Sequence, residues 1–289
     1  MKIGLASIGR IGAQVYLWLI VAFLFFPALI LVAFSFNKSP FFALPFTGVT
    51  LHWFGVAFRN AAMVAALKNS LEVAALTALF STSAAFLVAV GLRGASPRLR
   101  RAIDLVGPLP LLVPAMIWSI ALLILMTRIQ IHPSVRTVLA GHVLFTLPFV
   151  VLLMTTRLAS FQREWEEAAV SLGASRAMFI RRIFLKHMMP AVIAGGLMAF
   201  TLSFNDFVIA FFLTGAGFST LPIYIFSLVR WQADPSISAM SSLVFAFALV
   251  LVIVIAKIQG REVASATQSM MARGLRGGDR RQGSSDVEG

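Results

Sequence analysis

Six runs of about 20 apolar residues punctuate this chain, at roughly 15–36, 66–92, 103–127, 137–158, 188–212 and 237–258. Each is long enough for a helix to cross a hydrocarbon core of about 30 Å. Inside lipid every backbone amide must find its partner within the protein, which makes the helix the natural spanning form for such runs. With 59% hydrophobic residues and a mean hydropathy of +0.91, the chain is too apolar for a soluble globule. The expected fold is an all-α integral membrane protein of six transmembrane helices, with both termini on one side. Lys2 and Arg10 precede the first run as in a signal peptide. That run is too long for a cleaved segment and five more follow, so it reads as a retained helix.

The net charge of +13 invites a nucleic-acid partner, and the placement of the 24 Lys and Arg residues argues against one. Only Lys38, Arg59, Lys68, Arg128, Arg136 and Arg230 fall on one side of the alternating loops. The others cluster at the N-terminus, in the 93–101 and 157–186 loops and in the tail. This asymmetry is that of cytoplasmic loops and sets both termini and the 157–186 loop in the cytoplasm. The chain has no cysteine, which removes disulfides and thiolate chemistry. His52, His132, His142 and His187 are scattered without a carboxylate at helical spacing, so no metal site is expected. Small residues on the second run (Ala74, Ala75, Ala78, Ser81, Ala84, Ala85) and the fifth (Gly195, Gly196, Ala199) suit close helix packing in lipid. The expected organisation is a cytoplasmic N-terminus (1–14), a transmembrane domain (15–260) with a cytoplasmic loop at 159–187, and a Gly/Ser/Arg-rich disordered tail (261–289).

The 159–187 loop is the long polar interruption. Glu164 to Leu172 has good helix formers with carboxylates at its start, where the helix dipole favours them. Gly173 can end that helix in the left-handed conformation, and Ser175 can cap a second one through Met178, Phe179, Arg182 and Ile183. In the plainest interpretation Glu166 and Glu167 only cap and solubilise this turn. The run Glu166-Glu167-Ala168-Ala169, with Gly173-Ala174 following, nevertheless resembles the coupling loop of inner-membrane permeases of binding-protein-dependent ABC importers. Those loops carry Glu-Ala-Ala, a Gly six residues after the Glu, and a later Pro. Here Lys186 stands where the family commonly has Pro, and only Pro190 remains. The Asn69-Ser70-Leu71 entry to the second run also resembles that family.

The resemblance implies a type I ABC importer permease fold, non-catalytic, in the bacterial inner membrane. Its implied partners are two ATPase subunits docked on Glu166, Glu167, Ala168, Ala169, Gly173 and Ala174, a second permease subunit, and an external substrate-binding protein. No Gly-x-x-x-x-Gly-Lys-Ser/Thr loop occurs, so no cofactor is expected in this chain and ATP–Mg is expected on the partners.

Ionisable residues inside the bilayer are functional candidates by default. Asp206 lies in the fifth run with Ser203, Phe204 and Asn205 beside it, a set that can line a polar path; the alternative is a hydrogen bond to a neighbouring helix. Residues 199–206, 212–215 and 221–224 resemble the second permease of spermidine/putrescine systems. A carboxylate among aromatic faces suits ammonium groups, with Phe204, Phe207, Trp118, Tyr224 and Trp231 as candidate faces. Ala115 follows Pro114 where the polyamine branch has an acid, which keeps aminophosphonates, ferric iron and thiamine open as substrates. Arg230, Asp234 and Pro235 are candidates for contact with the binding protein. A membrane enzyme and an ion-driven secondary transporter are the rival classes. The first lacks a catalytic constellation, and the second would transport without an ATPase.

Overall fold

The computed structural model describes residues 5–40, 46–231 and 235–257. The expectations for the tail, for Asp234 and for the Trp231 side chain lie outside the described residues. The chain divides into two compact units, residues 1–70 with 219–249 and residues 71–218 with 250–289.

In the first unit, α1 (Leu5–Ser35) contains a 24-residue apolar span. Its side chains from Val15 to Ile30 are largely exposed, and Phe25 meets Phe245 edge to face at 6.3 Å. The connection after α1 is tied by Asn37, which is buried. Asn37 Oδ1 accepts from the amides of Ser39 and Thr47, and its carbonyl accepts from Trp53 Nε1 at 2.8 Å. Short α2 (His52–Arg59) leads into α3 (Ala61–Arg93), which starts five residues before the apolar run suggests. Asn69 and Ser70 therefore lie two turns inside the helix instead of opening it. Their job is tertiary: Asn69 Nδ2 donates to the Ser219 carbonyl (2.9 Å) and Ser70 Oγ accepts from the Leu221 amide (2.8 Å). Both contacts hold the start of α11 (Leu221–Trp231), which packs through Leu221 with Ala57, Met63 and Met240 of α12 (Pro235–Lys257).

The second unit carries most of α3, then α4 (Pro97–Val106), a 3-10 turn at Leu109–Leu112 and α5 (Ala115–Arg128). The expected straight third span is instead a pair of helices bent by 96°. Pro114 explains the break. Its ring excludes the helical conformation at Val113, which is extended with φ −84° and ψ 123°. Then come α6 (Val135–Ala159), α7 (Glu164–Ser171), α8 (Arg176–Phe179), a π turn at Ile180–Phe184, α9 (Leu185–Phe204) and α10 (Val208–Leu213). Residues 176–204 run as one helical span, so the loop returns to the membrane through a π turn and not at a proline break. The fifth span is itself interrupted at 205–207, where the sequence suggested a continuous helix to 212.

Small residues set the packing of this unit. An added Cβ at Gly195 of α9 would meet Val150 Cγ1 of α6 at 2.8 Å. At Gly141 of α6 it would meet Leu213 and Ile209 side chains of α10. Val73, Ala74, Thr77, Ser81, Ala85, Ala89 and Leu92 form a buried stripe along α3 at helical spacing, whereas Ala75 is exposed.

Candidate functional site

Asp206 stands at the interruption of the fifth span. Asn205 closes α9, its Nδ2 donating back to the Thr201 carbonyl at 3.0 Å, and the side chain of Asp206 opens α10. Short Asn and Asp side chains compete in this way with the helical hydrogen-bond ladder, which is why the helix stops here. Asp206 Oδ2 accepts from the amides of Ile209 (2.9 Å) and Ala210 (3.0 Å) and lies 3.2 Å from Nε2 of His142. The other ring nitrogen, Nδ1, is 2.7 Å from Ser203 Oγ, itself 3.3 Å from Thr77 Oγ1. Thr146 donates to the His142 carbonyl (2.8 Å) and its hydroxyl meets Ser81 Oγ at 2.8 Å. A polar thread thus links α3, α6, α9 and α10 inside an apolar unit. His142 is 1% exposed and the Asp206 side chain 9%. Among the described residues the three bonds of the carboxylate all fall on Oδ2, leaving Oδ1 as the atom with acceptor capacity to spare.

Of the residues named for the substrate path, the structure joins Ser203 and Asp206 through His142. Asn205 is exposed and bonds within its own helix. Phe204 is buried and stacks on Phe200 with the rings 5.8 Å apart, so it serves packing. Phe207 faces Phe211 at 5.2 Å. Trp118 is half-buried, and its Nε1 is buried without a hydrogen-bond partner among the described residues. Tyr224 belongs to the first unit, where its hydroxyl donates to Asn60 Oδ1 at 3.2 Å. His142 is the residue that sequence reasoning missed. Its partners lie 61 and 64 residues away, beyond any local spacing rule. The usable signal was the ring itself, a polar ionisable group in the middle of an apolar run.

On the loop, α7 ends in a Schellman arrangement. Gly173 has φ +78°, its amide donates to the Val170 carbonyl, and the Ala174 amide donates to Ala169, both at 2.9 Å. Ser175 Oγ then accepts from the Met178 amide at 3.2 Å and starts α8, as expected from its type and place. The two faces of α7 differ. Ala169 is 5% exposed and joins the core with Phe179, Phe184 and Met188, while Ala174 packs against that core. Glu166 turns the same way and its Oε1 pairs with Nη1 of Arg93 at 3.1 Å. Glu167, Ala168, Val170 and Leu172 are exposed, Leu172 by 87%. Of the expected docking set, then, Glu166 and Ala169 face the permease, and Glu167 and Ala168 face outward.

Apolar spans, one broken around a largely buried carboxylate, and a helix with a glycine C-cap in the longest polar loop are features that suit a transport subunit. The chain belongs to the family of binding-protein-dependent transport system inner membrane components, whose pattern matches residues 81–264. Among its relatives is the spermidine/putrescine transport system permease protein PotC of Escherichia coli (strain K12), 34% identical over 85% of this chain and 93% of that one. The putrescine transport system permease protein PotI of the same strain is 36% identical over 77% of this chain and 81% of that one. A bacterial ABC transporter importing the acidic polysaccharide alginate has the same fold, with a TM-score of 0.67 at 15% identity, covering 90% of this chain and 99% of its own. The chain is thus a multi-pass inner-membrane permease of the ABC importer type.

Proposed function

We propose that this permease forms the translocation path for a di- or polyamine such as putrescine or spermidine. The observation that carries the proposal is Asp206: a carboxylate held at a helix break inside the bundle, with Oδ2 fixed by three donors and Oδ1 left to meet an ammonium group. The names of two relatives at 34% and 36% identity support the same substrate class. Inward movement of a cation is favoured by the membrane potential by about 2.3 kcal/mol per charge per 100 mV. A second reading, an aminophosphonate, is favoured by Ala115 and by the 26% identity to a putative 2-aminoethylphosphonate permease protein, PhnV of Salmonella paratyphi A.

ATP is hydrolysed on two separate subunits that dock on the outward face of α7, Glu167 and Ala168 with Val170 and Leu172. A second permease completes the path and an external binding protein delivers the solute. Both termini are cytoplasmic, in keeping with the distribution of Lys and Arg. Closure of the ATPases draws α7 and opens the permease outward; hydrolysis resets it. The test is uptake of labelled putrescine and spermidine by cells carrying the whole transporter, with and without Asp206→Asn. Uptake lost on substitution at unchanged abundance is expected. Wild-type cells that take up no polyamine, while taking up 2-aminoethylphosphonate, would move the assignment to the second reading.

A further inference from the structure

Arg93 is the last residue of α3, and its side chain is only 7% exposed. A buried guanidinium stays charged, so it requires a counter-charge nearby. Glu166 Oε1 at 3.1 Å is the only carboxylate within ion-pair distance among the described residues. The faces of Phe179 (4.7 Å) and Phe184 (5.8 Å), from α8 and the π turn, enclose the same guanidinium. Arg93 Nε and Nη1 are both buried without a hydrogen-bond partner among the described residues, so the contact with Glu166 is a charge pairing without hydrogen-bond alignment and little else compensates the charge. The end of α3 is further clamped by Arg100 of α4, whose Nε and Nη2 donate to the carbonyls of Leu92 (2.9 Å) and Arg93 (2.7 Å). One charge therefore joins α3, α7 and the helix returning to the membrane, directly behind the exposed face that carries Glu167.

We infer that the Arg93–Glu166 pair transmits displacement of α7 to α3, acting as a positioning link behind the docking surface and not as part of it. The inference rests on the coupling role proposed for α7. A force applied to the outward face of an eight-residue helix reaches the membrane only through whatever holds its inward face. Here that hold is the buried Ala169, the edge-to-face packing of Trp165 on Phe161 and His187, and one ion pair that is buried on its Arg93 side. Separating the pair is costly because it leaves the Arg93 guanidinium, 7% exposed, without its counter-charge in a poorly solvated site, so the pair moves as a unit. Apolar packing alone, at Ala169 and Trp165, is non-directional and would let α7 slide or tilt.

The test uses the complete transporter in proteoliposomes with Glu166→Gln, Arg93→Lys, and the exchange Arg93→Glu with Glu166→Arg. The readout is solute transported per ATP hydrolysed, with co-purification of the ATPase subunits measured in parallel. A merely structural role would alter abundance and leave that ratio unchanged. We expect Glu166→Gln to retain its ATPase subunits while the ratio falls about two- to thirty-fold, the span that substitutions along a coupling route produce. The exchanged pair should recover most of the loss. An unchanged ratio, or an exchanged pair as defective as the single variants, overturns the inference. Loss of ATPase co-purification in Glu166→Gln overturns it as well, by placing Glu166 in the docking surface. Should Glu166→Gln not accumulate, Arg93→Lys, which keeps a positive charge but not the planar group that reaches Glu166 and the faces of Phe179 and Phe184, carries the same expectations. Failure of the coupling role itself has a separate signature: Glu167→Arg would leave ATPase binding and transport intact.

Discussion

Asp206 has two tasks in this structure, one for each oxygen, and paired substitutions separate them. Asp206→Ala deletes the acceptor for the amides of Ile209 and Ala210, residues with no exposed surface, and for Nε2 of His142. An unsatisfied buried donor costs about 1–3 kcal/mol, so the two amides alone amount to about 2–6 kcal/mol. Asp206→Asn keeps an oxygen of the same reach for those amides. It loses the charge-assisted part of the contact with His142, about 1 kcal/mol. At roughly 3 °C per kcal/mol for a large domain, the Asn variant should melt within a few degrees of the parent, and the Ala variant clearly lower. The assay is thermal retention of the monodisperse peak in detergent, run beside polyamine uptake. Both variants should lose uptake while only Ala loses stability. Equal destabilisation by Asn and Ala would refute the division of labour, because the charge and not the amide acceptor would then hold the break. Full uptake by Asp206→Asn would refute a role for the free oxygen.

Three further outcomes follow from the geometry. Glu167→Arg places repulsive charge on the exposed face of α7 and should abolish ATPase co-purification and uptake while membrane insertion remains normal, as read by abundance in isolated membranes. Gly195→Ala drives a methyl group against Val150 and should cost about 1–3 kcal/mol in thermal retention, whereas Gly196→Ala, whose nearest neighbour would be Thr82 Oγ1 at 3.4 Å, should be tolerated. Gly173→Ala meets no neighbouring atom but puts a Cβ on a residue with φ +78°, a penalty of about 1 kcal/mol that should weaken ATPase co-purification several-fold without loss of abundance.

Much of this architecture is legible in the sequence because bilayer thickness and the helical repeat are both fixed lengths. Four of the six apolar runs correspond to long unbroken helices, two of them starting five to ten residues before the run. The two exceptions share a cause. At Val113-Pro114 and at Asn205-Asp206 a local backbone preference outweighs an apolar composition that hydropathy averages over. The caps at Gly173 and Ser175 were legible because they depend on one residue each. The inward turn of Glu166 and Ala169 was not, since it depends on Arg93 and on Phe179 and Phe184 across the fold. His142 could be flagged only as an ionisable ring in an apolar run; its meaning comes from Ser203 and Asp206, which only tertiary structure brings to it.

The bent third span has a consequence for the lipid around it. Helix α5 has 14 residues and reaches about 21 Å at 1.5 Å per residue, short of a hydrocarbon thickness near 30 Å. If Arg128 anchors one interface, the break at Val113-Pro114 falls inside the oily layer. Irregular backbone survives there only where acyl chains are kept away, yet Leu112 and Ile117 beside it are 78% and 59% exposed on this chain alone. At that depth acyl chains would be a poor solvent for the break. On that placement another polypeptide or a column of water would cover it, and the break would mark where a single copy of this chain stops being a sealed wall.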